Sequence, residues 1–272
     1  MKSPIGIFDS GYGGLTVFRS IRDELPDYDY LYFGDNARAP YGSRSFESIH
    51  EYTWQSIQWM LDQGCPLVIV ACNTSSARAL RTIQQIHLPQ SYPDRRVLGV
   101  IRPTAEVIGD YTHTNHVGVL GTQGTVQSSS YLLEIAKFFP ELKVFQQACP
   151  LWVPMIEANE LEGPGADFIV EKYLKELLDQ SADIDCVLLA CTHYPLLAPL
   201  ILEHLPVNIR LISQGQIVAK SLHSYLERHP EMESRISRNG ALDCFTTDSA
   251  ADFEAKGTLF LGAQIQAKQV HL

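Results

Sequence analysis

The chain has 272 residues, 45% hydrophobic and 19% charged, with a formal net charge of −10. That apolar content excludes a disordered chain and suffices for a packed core in one large domain or two small ones, and the acidic balance argues against nucleic acid and anionic membrane as general partners. No apolar run approaches the roughly 20 residues of a membrane span. The opening MKSPIGIFDSGYGG lacks a leader's apolar stretch and cleavage pattern, so a soluble cytoplasmic protein is expected.

Short apolar runs alternate with longer amphipathic segments, the pattern of mostly parallel sheets with helices on their faces. Strands are expected near 5–8, 30–33, 67–71, 97–101, 117–120, 143–147, 186–190, 209–212 and 243–246. Helices are expected near 12–24, 46–63, 76–87, 103–112, 125–138, 166–179, 196–204, 215–227 and 250–261. The best marked is 46–63, with Ser45 as N-cap, apolar residues near helical period and Gly64 as its stop.

The halves of the chain resemble each other. IGIFDSGYGG (5–14) aligns with VGVLGTQGTV (117–126), and VIVACNTSSA (68–77) aligns with VLLACTHYPL (187–196). The intervals differ, 67 positions from Ile5 to Cys72 and 74 from Val117 to Cys191, so the repeat has diverged with insertions. Two similar α/β lobes would bring these four strand ends to facing edges, where open parallel sheets bind ligands. A cleft between the lobes follows.

Cys72 and Cys191 each close a buried-type strand and precede a polar turn that opens a helix. That position aims a thiol at the cleft, and the helix N-terminus is expected to lower its pKa. Either cysteine alone reads as well as a small core residue, but two at matching places in a repeat favour a shared task. A thiol on each side of a carbon can remove a proton from one face and deliver one to the other, inverting a stereocentre. A single-thiol acyl transfer would need an oriented histidine, and His193 is not guaranteed to reach Cys72. Cys65, Cys149, Cys186 and Cys244 are assigned to packing. The cysteine spacing suits no metal, and the thiols are expected to be reduced.

Three further stretches could face the cleft. FDSGYGG (8–14) places Asp9 and Ser10 at a strand end before glycines that admit close backbone approach, although a tight turn with an Asp N-cap reads as well; it is not a dinucleotide fingerprint. In the loop GDNARAPYGSRS (34–45), Tyr41 and Gly42 could line a pocket, whereas Arg38 and Arg44 are expected to face water. The turns 73–76, 121–125 and 192–193 offer hydroxyls, an amide and free N–H groups but no lysine or arginine. Helix N-termini can hold a carboxylate without formal charge, so an acidic ligand remains compatible with an acidic protein. The missing lysine also argues against pyridoxal phosphate, and no cofactor or metal is expected.

With these motifs in place, the chain resembles the glutamate racemases of the aspartate/glutamate racemase superfamily, which need no cofactor. The resemblance rests on IGIFDSGYGGLTV (5–17), YFGDNARAPYGSRS (32–45), VIVACNTSSA, VLGVIRPTAE (97–106), VGVLGTQGTVQSSSY (117–131), ACPLWVPMIE (148–157), LLACTHYPLL (188–197) and TTDSAADFEAKGTLFLG (246–262), which span the chain in the family's order. It implies two pseudo-twofold α/β lobes, lobe A from 1–97 plus 207–272 and lobe B from 98–206, with the active site between them. It implies interconversion of L- and D-glutamate to supply peptidoglycan synthesis, with Cys72 and Cys191 as the two acid/bases. Asp9 and His193 would assist them, and Glu157 is a further candidate helper. Asp9, Ser10, Tyr41, Gly42, Asn73, Thr74, Thr125, Thr192 and His193 would hold the substrate. The resemblance leaves room for a homodimer. Two departures stand out: Arg102 where many members are acidic, and Ser213-Gln214 in place of a more usual Asp-Ser. Rival readings are a related carbon acid such as aspartate as substrate, a one-cysteine decarboxylase, a two-lobe solute-binding protein and a partner-binding protein.

Overall fold

The computed structural model describes residues 2–272. Ten strands form two separate sheets, and every pairing within them is parallel. In chain order the strands are β1 (Ile5–Asp9), β2 (Tyr30–Gly34), β3 (Leu67–Val70), β4 (Arg96–Gly99), β5 (His116–Gly121), β6 (Lys143–Ala148), β7 (Cys186–Ala190), β8 (Arg210–Ser213), β9 (Leu242–Thr246) and β10 (Ala267–Gln269). β1, β2, β3 and β7 are buried along their whole length, as strands of a parallel sheet must be when helices cover both faces.

The sheet orders carry the duplication. The first sheet runs β10-β9-β2-β1-β3-β4 and the second β6-β5-β7-β8, so β2-β1-β3-β4 and β6-β5-β7-β8 are the same arrangement built twice. The registers repeat too: Gly6 pairs with Val68 in one sheet and Gly118 with Val187 in the other. Both glycines admit close packing: a Cβ at Gly6 would sit 2.7 Å from Met60 Cε and one at Gly118 would sit 2.8 Å from Leu177 Cδ2, so either side chain would have to move aside. β9 and β10 extend only the first sheet, which places the C-terminal segment beside the N-terminal strands.

The lobe boundary expected at 206/207 is corrected. β8 pairs with β7, so the chain leaves the second sheet only after Ser213. The helix Gly215–Arg228 then returns to pack on Gly14–Glu24 of the first lobe. The outward crossing occupies the matching place, between β4 and the helix Ile101–Ala105.

Several helices differ from expectation for local reasons. The helix 46–63 is observed as Phe46–Asp62, capped by Ser45 accepting from the Ser48 N–H at 3.2 Å. The segment expected over 76–87 is broken into Asn73–Arg78, Leu80–Thr82, a π turn Ile83–His87 and Leu88–Ser91. Pro89 lacks an N–H and its ring crowds the carbonyl four residues back, which a widened turn relieves. The helix expected over 125–138 breaks at Ser129, which adopts a left-handed φ of 56°. The six-residue helix Trp152–Glu157 and the three-residue β10 were too short for their periodicity to register. Among the described residues no helix is long and apolar enough to cross a membrane.

Candidate active site

The carboxyl ends of strands from both sheets meet around one pocket of about 120 Å³. Ser10 and Gly11 follow β1, Cys72, Asn73 and Thr74 follow β3, Thr122 and Gln123 follow β5, and Cys191, Thr192 and His193 follow β7. The loop Ala39–Ser43 and the residues Cys149, Pro150, Val153, Pro154 and Glu157 complete the wall. No lysine or arginine lines it.

Both sulfurs reach this pocket, although Cys72 is only 5% exposed and Cys191 only 6%. Cys72 is the N-cap of the helix Asn73–Arg78 and accepts from the Ser75 N–H at 3.4 Å. Its thiol donates to Ser10 Oγ at 3.5 Å. The expected lowering by the helix start is corrected: burial, then the Asp9 charge, pushes the Cys72 thiol up to about 11. Donors at the helix start oppose this but do not win. Cys72 is therefore a protonated thiol at neutral pH.

Different partners surround Cys191. His193, two residues on, bonds Glu157 Oε1 through Nε2 at 3.0 Å and is itself buried. Burial alone would push the imidazole down. Hydrogen bonds and charge from Cys191 and Glu157 overcome it and hold His193 up at about 10, hence as imidazolium at neutral pH. Gly13 makes room for this ring, because a Cβ there would overlap His193 Nδ1 and the Thr192 hydroxyl.

Asp9 lies fully buried behind Cys72. It accepts from the Gly11 N–H at 3.0 Å and the Thr192 hydroxyl at 3.4 Å. Burial raises its pKa, against the pull of His193 and those donors. Thr16 adds a bond to the Thr192 carbonyl at 2.8 Å, so the residue after Cys191 is tied to the opposite lobe twice. The residue after Cys72 is tied across in the same way. Asn73 donates to Gln214 Oε1 at 2.8 Å and accepts from Tyr131 Oη at 2.6 Å.

The loop wall also differs from expectation. Arg38 does not simply face water; it bonds Asp35 at 2.6 Å and lies over the Tyr52 ring. Asp35, fully buried, accepts from the Tyr41 hydroxyl and from Thr247 at 2.8 Å, which fixes Tyr41 in the pocket wall. Arg44 is exposed, as expected. Gly42 meets Thr122 of the other lobe, where even a methyl group would stand 3.0 Å from Thr122 Cβ. Thr74 and Thr122 share a hydrogen bond of 2.9 Å across the same seam. Thr125 does not line the pocket; it sits behind Thr122, whose hydroxyl caps its N–H at 3.2 Å.

Ser10, Tyr41, Gly42, Cys72, Asn73, Thr74, Glu157, Cys191, Thr192 and His193 thus come together at one pocket, with Asp9 and Thr125 immediately behind it. Sequence reading offered Thr122 and Gln123 only as part of the donor turn 121–125, did not single out Pro150, Val153 or Pro154, and assigned Cys149 to packing although that residue also lines the pocket. All six cysteines are free, and among the described residues no cluster of three or more His, Cys, Asp or Glu is placed to hold a metal ion.

Known proteins share this architecture. A glutamate racemase of Geobacter metallireducens is 38% identical over 262 residues, 96% of this chain and 93% of its own. The structure of a Bacillus anthracis glutamate racemase isoform superposes with a TM-score of 0.88 at 32% identity, covering 99% of this chain and 98% of that one. A Francisella tularensis glutamate racemase in complex with D-glutamate gives 0.87 at 32% identity, covering 99% and 97%. The family model described as Asp/Glu/Hydantoin racemase matches residues 12–222, and the chain belongs to that family of racemases.

Proposed function

We propose that this racemase interconverts L- and D-glutamate, with Cys72 and Cys191 exchanging roles as base and acid on opposite faces of the α-carbon. The observation that carries this reading is the meeting of two thiols, from matching ends of duplicated strands, in one pocket. The glutamate racemase relatives, and the D-glutamate held by the Francisella tularensis enzyme, support glutamate as substrate. A cytoplasmic role supplying D-glutamate for peptidoglycan follows from that chemistry.

The two sides are unequally prepared. Cys72, held protonated, is the acid of the resting enzyme. Cys191 lies beside an imidazolium that Glu157 steadies, so a charge forming on that sulfur meets a positive neighbour. When the opposite enantiomer binds, the proton passes the other way and Cys72 must become the base, with Ser10 and the Ser75 N–H as its hydrogen-bond partners.

Turnover in the ordinary range of 1–10³ s⁻¹ requires a barrier of about 14–17 kcal/mol. An amino acid's α-proton is far less acidic than a thiol, so basicity alone is insufficient. Fixed donors around the substrate carboxylate must stabilise the charge that develops on it. Backbone N–H groups at helix starts and the hydroxyls of Ser10, Thr74 and Thr192 supply them without lysine or arginine. The loop Ala39–Ser43 walls one side of the pocket, and keeping water out as the lobes close on substrate would strengthen each of these bonds.

The test is deuterium uptake at the α-carbon in heavy water, starting from each enantiomer. Cys72→Ser and Cys191→Ser should each lower racemisation by a factor on the order of 10³ or more. Near wild-type racemisation by Cys72→Ser would sink the two-thiol assignment. Turnover of aspartate rather than glutamate, read by circular dichroism, would sink the substrate assignment.

A further inference from the structure

Gln214 occupies the point where the chain returns from the second lobe to the first, directly after β8. By the duplicated topology its counterpart is Val100, directly after β4, where the chain first crosses over. The two crossings touch: Gln214 Nε2 donates to the Val100 carbonyl at 3.2 Å. The same nitrogen reaches Thr104 Oγ1 at 2.9 Å and Tyr131 Oη at 2.7 Å, while Gln214 Oε1 accepts from Asn73. Tyr131 closes the ring by donating to Asn73 Oδ1. Gln214, Asn73, Thr104 and Tyr131 are all buried.

The direction of every bond in this ring follows from one fixed acceptor. The Val100 carbonyl can only accept, and the Thr104 hydroxyl already donates to it at 3.0 Å, which leaves Thr104 Oγ1 as an acceptor too. Gln214 must therefore turn its NH₂ to this side, its two protons shared among Val100, Thr104 and Tyr131. Its carbonyl then faces Asn73, so the Asn73 NH₂ must face Gln214, and Asn73 Oδ1 must take the Tyr131 proton. An amide whose two ends are ordinarily interchangeable is locked in one orientation by a backbone carbonyl two side chains away.

We infer that Gln214 is a positioning residue for this racemase: it sets the orientation of the Asn73 amide next to Cys72 and couples it to the joint between the lobes. This rests on the glutamate racemase reading above and goes beyond it, because Gln214 does not line the substrate pocket. A shorter hydroxyl side chain at this position could not span Val100 and Asn73 together.

A double-mutant cycle tests the inference. Gln214→Met keeps the side chain's length but offers the Asn73 NH₂ no acceptor and Val100 and Thr104 no donor, so the Asn73 orientation loses its reference. The expected result is a loss of about tenfold in kcat/KM, carried mainly by KM. In an Asn73→Ala background the same change should cost less than about twofold, because the residue through which Gln214 acts is gone. Tyr131→Phe, which removes one hydroxyl from the ring, should show the same non-additivity and serves if Asn73→Ala folds poorly. A Gln214→Met enzyme with wild-type kcat/KM, or one whose loss is equal in all backgrounds, overturns the inference and leaves the two-thiol reading standing. A wild-type enzyme that fails to racemise glutamate sinks both.

Discussion

His193 lies between a thiol and a carboxylate in a pocket that would otherwise strip its charge, and the two neighbours decide the contest. Because the shift is upward, to about 10, its linked stability is fully present below the ordinary histidine value and is lost as pH rises through about 10. Glu157→Gln keeps a hydrogen-bond acceptor but removes the charge. The alkaline limb of kcat/KM should then move to lower pH, with a loss of about tenfold at pH 9 and little change at pH 6, measured as a pH–rate profile. An unmoved alkaline limb would show that Glu157 does not govern the imidazolium. Cys72 obeys the opposite balance. It begins a helix, yet burial, with the Asp9 carboxylate beside it, outweighs the donors that bond its sulfur. A helix N-terminus is read easily from sequence, whereas the burial that defeats it, and the Asp9 carboxylate that adds to it from another strand, exist only in the fold.

At the scale of elements, the turn after β1 is shaped to receive the turn after β7. Gly13 precedes the helix Gly14–Glu24 at the spot where His193 and Thr192 press in from the other lobe. Gly13→Ala should therefore lower kcat/KM by at least about tenfold by displacing His193, a loss checked by initial-rate kinetics. Gly165→Ala, in a helix where an added Cβ meets nothing within 4 Å, should leave both rate and fold unchanged. The strand ends that carry Cys72 and Cys191 were legible because an apolar run, a cysteine and a polar turn occur in order twice. Cys149 was not, since the stretch ACPLW after β6 is apolar and reads as packing. Thr122 was legible only as a hydroxyl in the donor turn 121–125, because its meeting with Gly42 and Thr74 exists only once the lobes are folded against each other. The boundary error at 206/207 has the same origin, because nothing in the strand RLIS announces which of two sheets it will join.

Across the whole molecule, the C-terminal segment does more than widen a sheet. The helix Ala250–Leu261 sets Phe253 and Phe260 on the Tyr12 ring, at centroid distances of 5.5 and 6.1 Å, and the Phe260 ring also lies edge-on to His193 at 5.2 Å. The C-terminal helix thus supports a site built by the first three quarters of the chain. Phe260→Ala should cost about 3–5 kcal/mol in urea-induced unfolding, the range for emptying a buried aromatic site. Activity should fall with it at temperatures where the variant is still folded, because His193 loses one wall. A stable Phe260→Ala enzyme would mean that the C-terminal helix is only peripheral cover.

The duplicated halves bring a cysteine to matching strand ends, yet they dress the two sulfurs differently: a carboxylate and a hydroxyl on one side, an imidazolium and its carboxylate on the other. Mirror-image substrates have equal free energies in solution, so the specificity constants for the forward and reverse directions must be equal whatever the protein does. The lopsided dressing can only lengthen the stay of one hand relative to the other, scaling its maximal rate and its half-saturation concentration together. Such an enzyme drives neither isomer, and any net flow through it is set by whatever consumes the product.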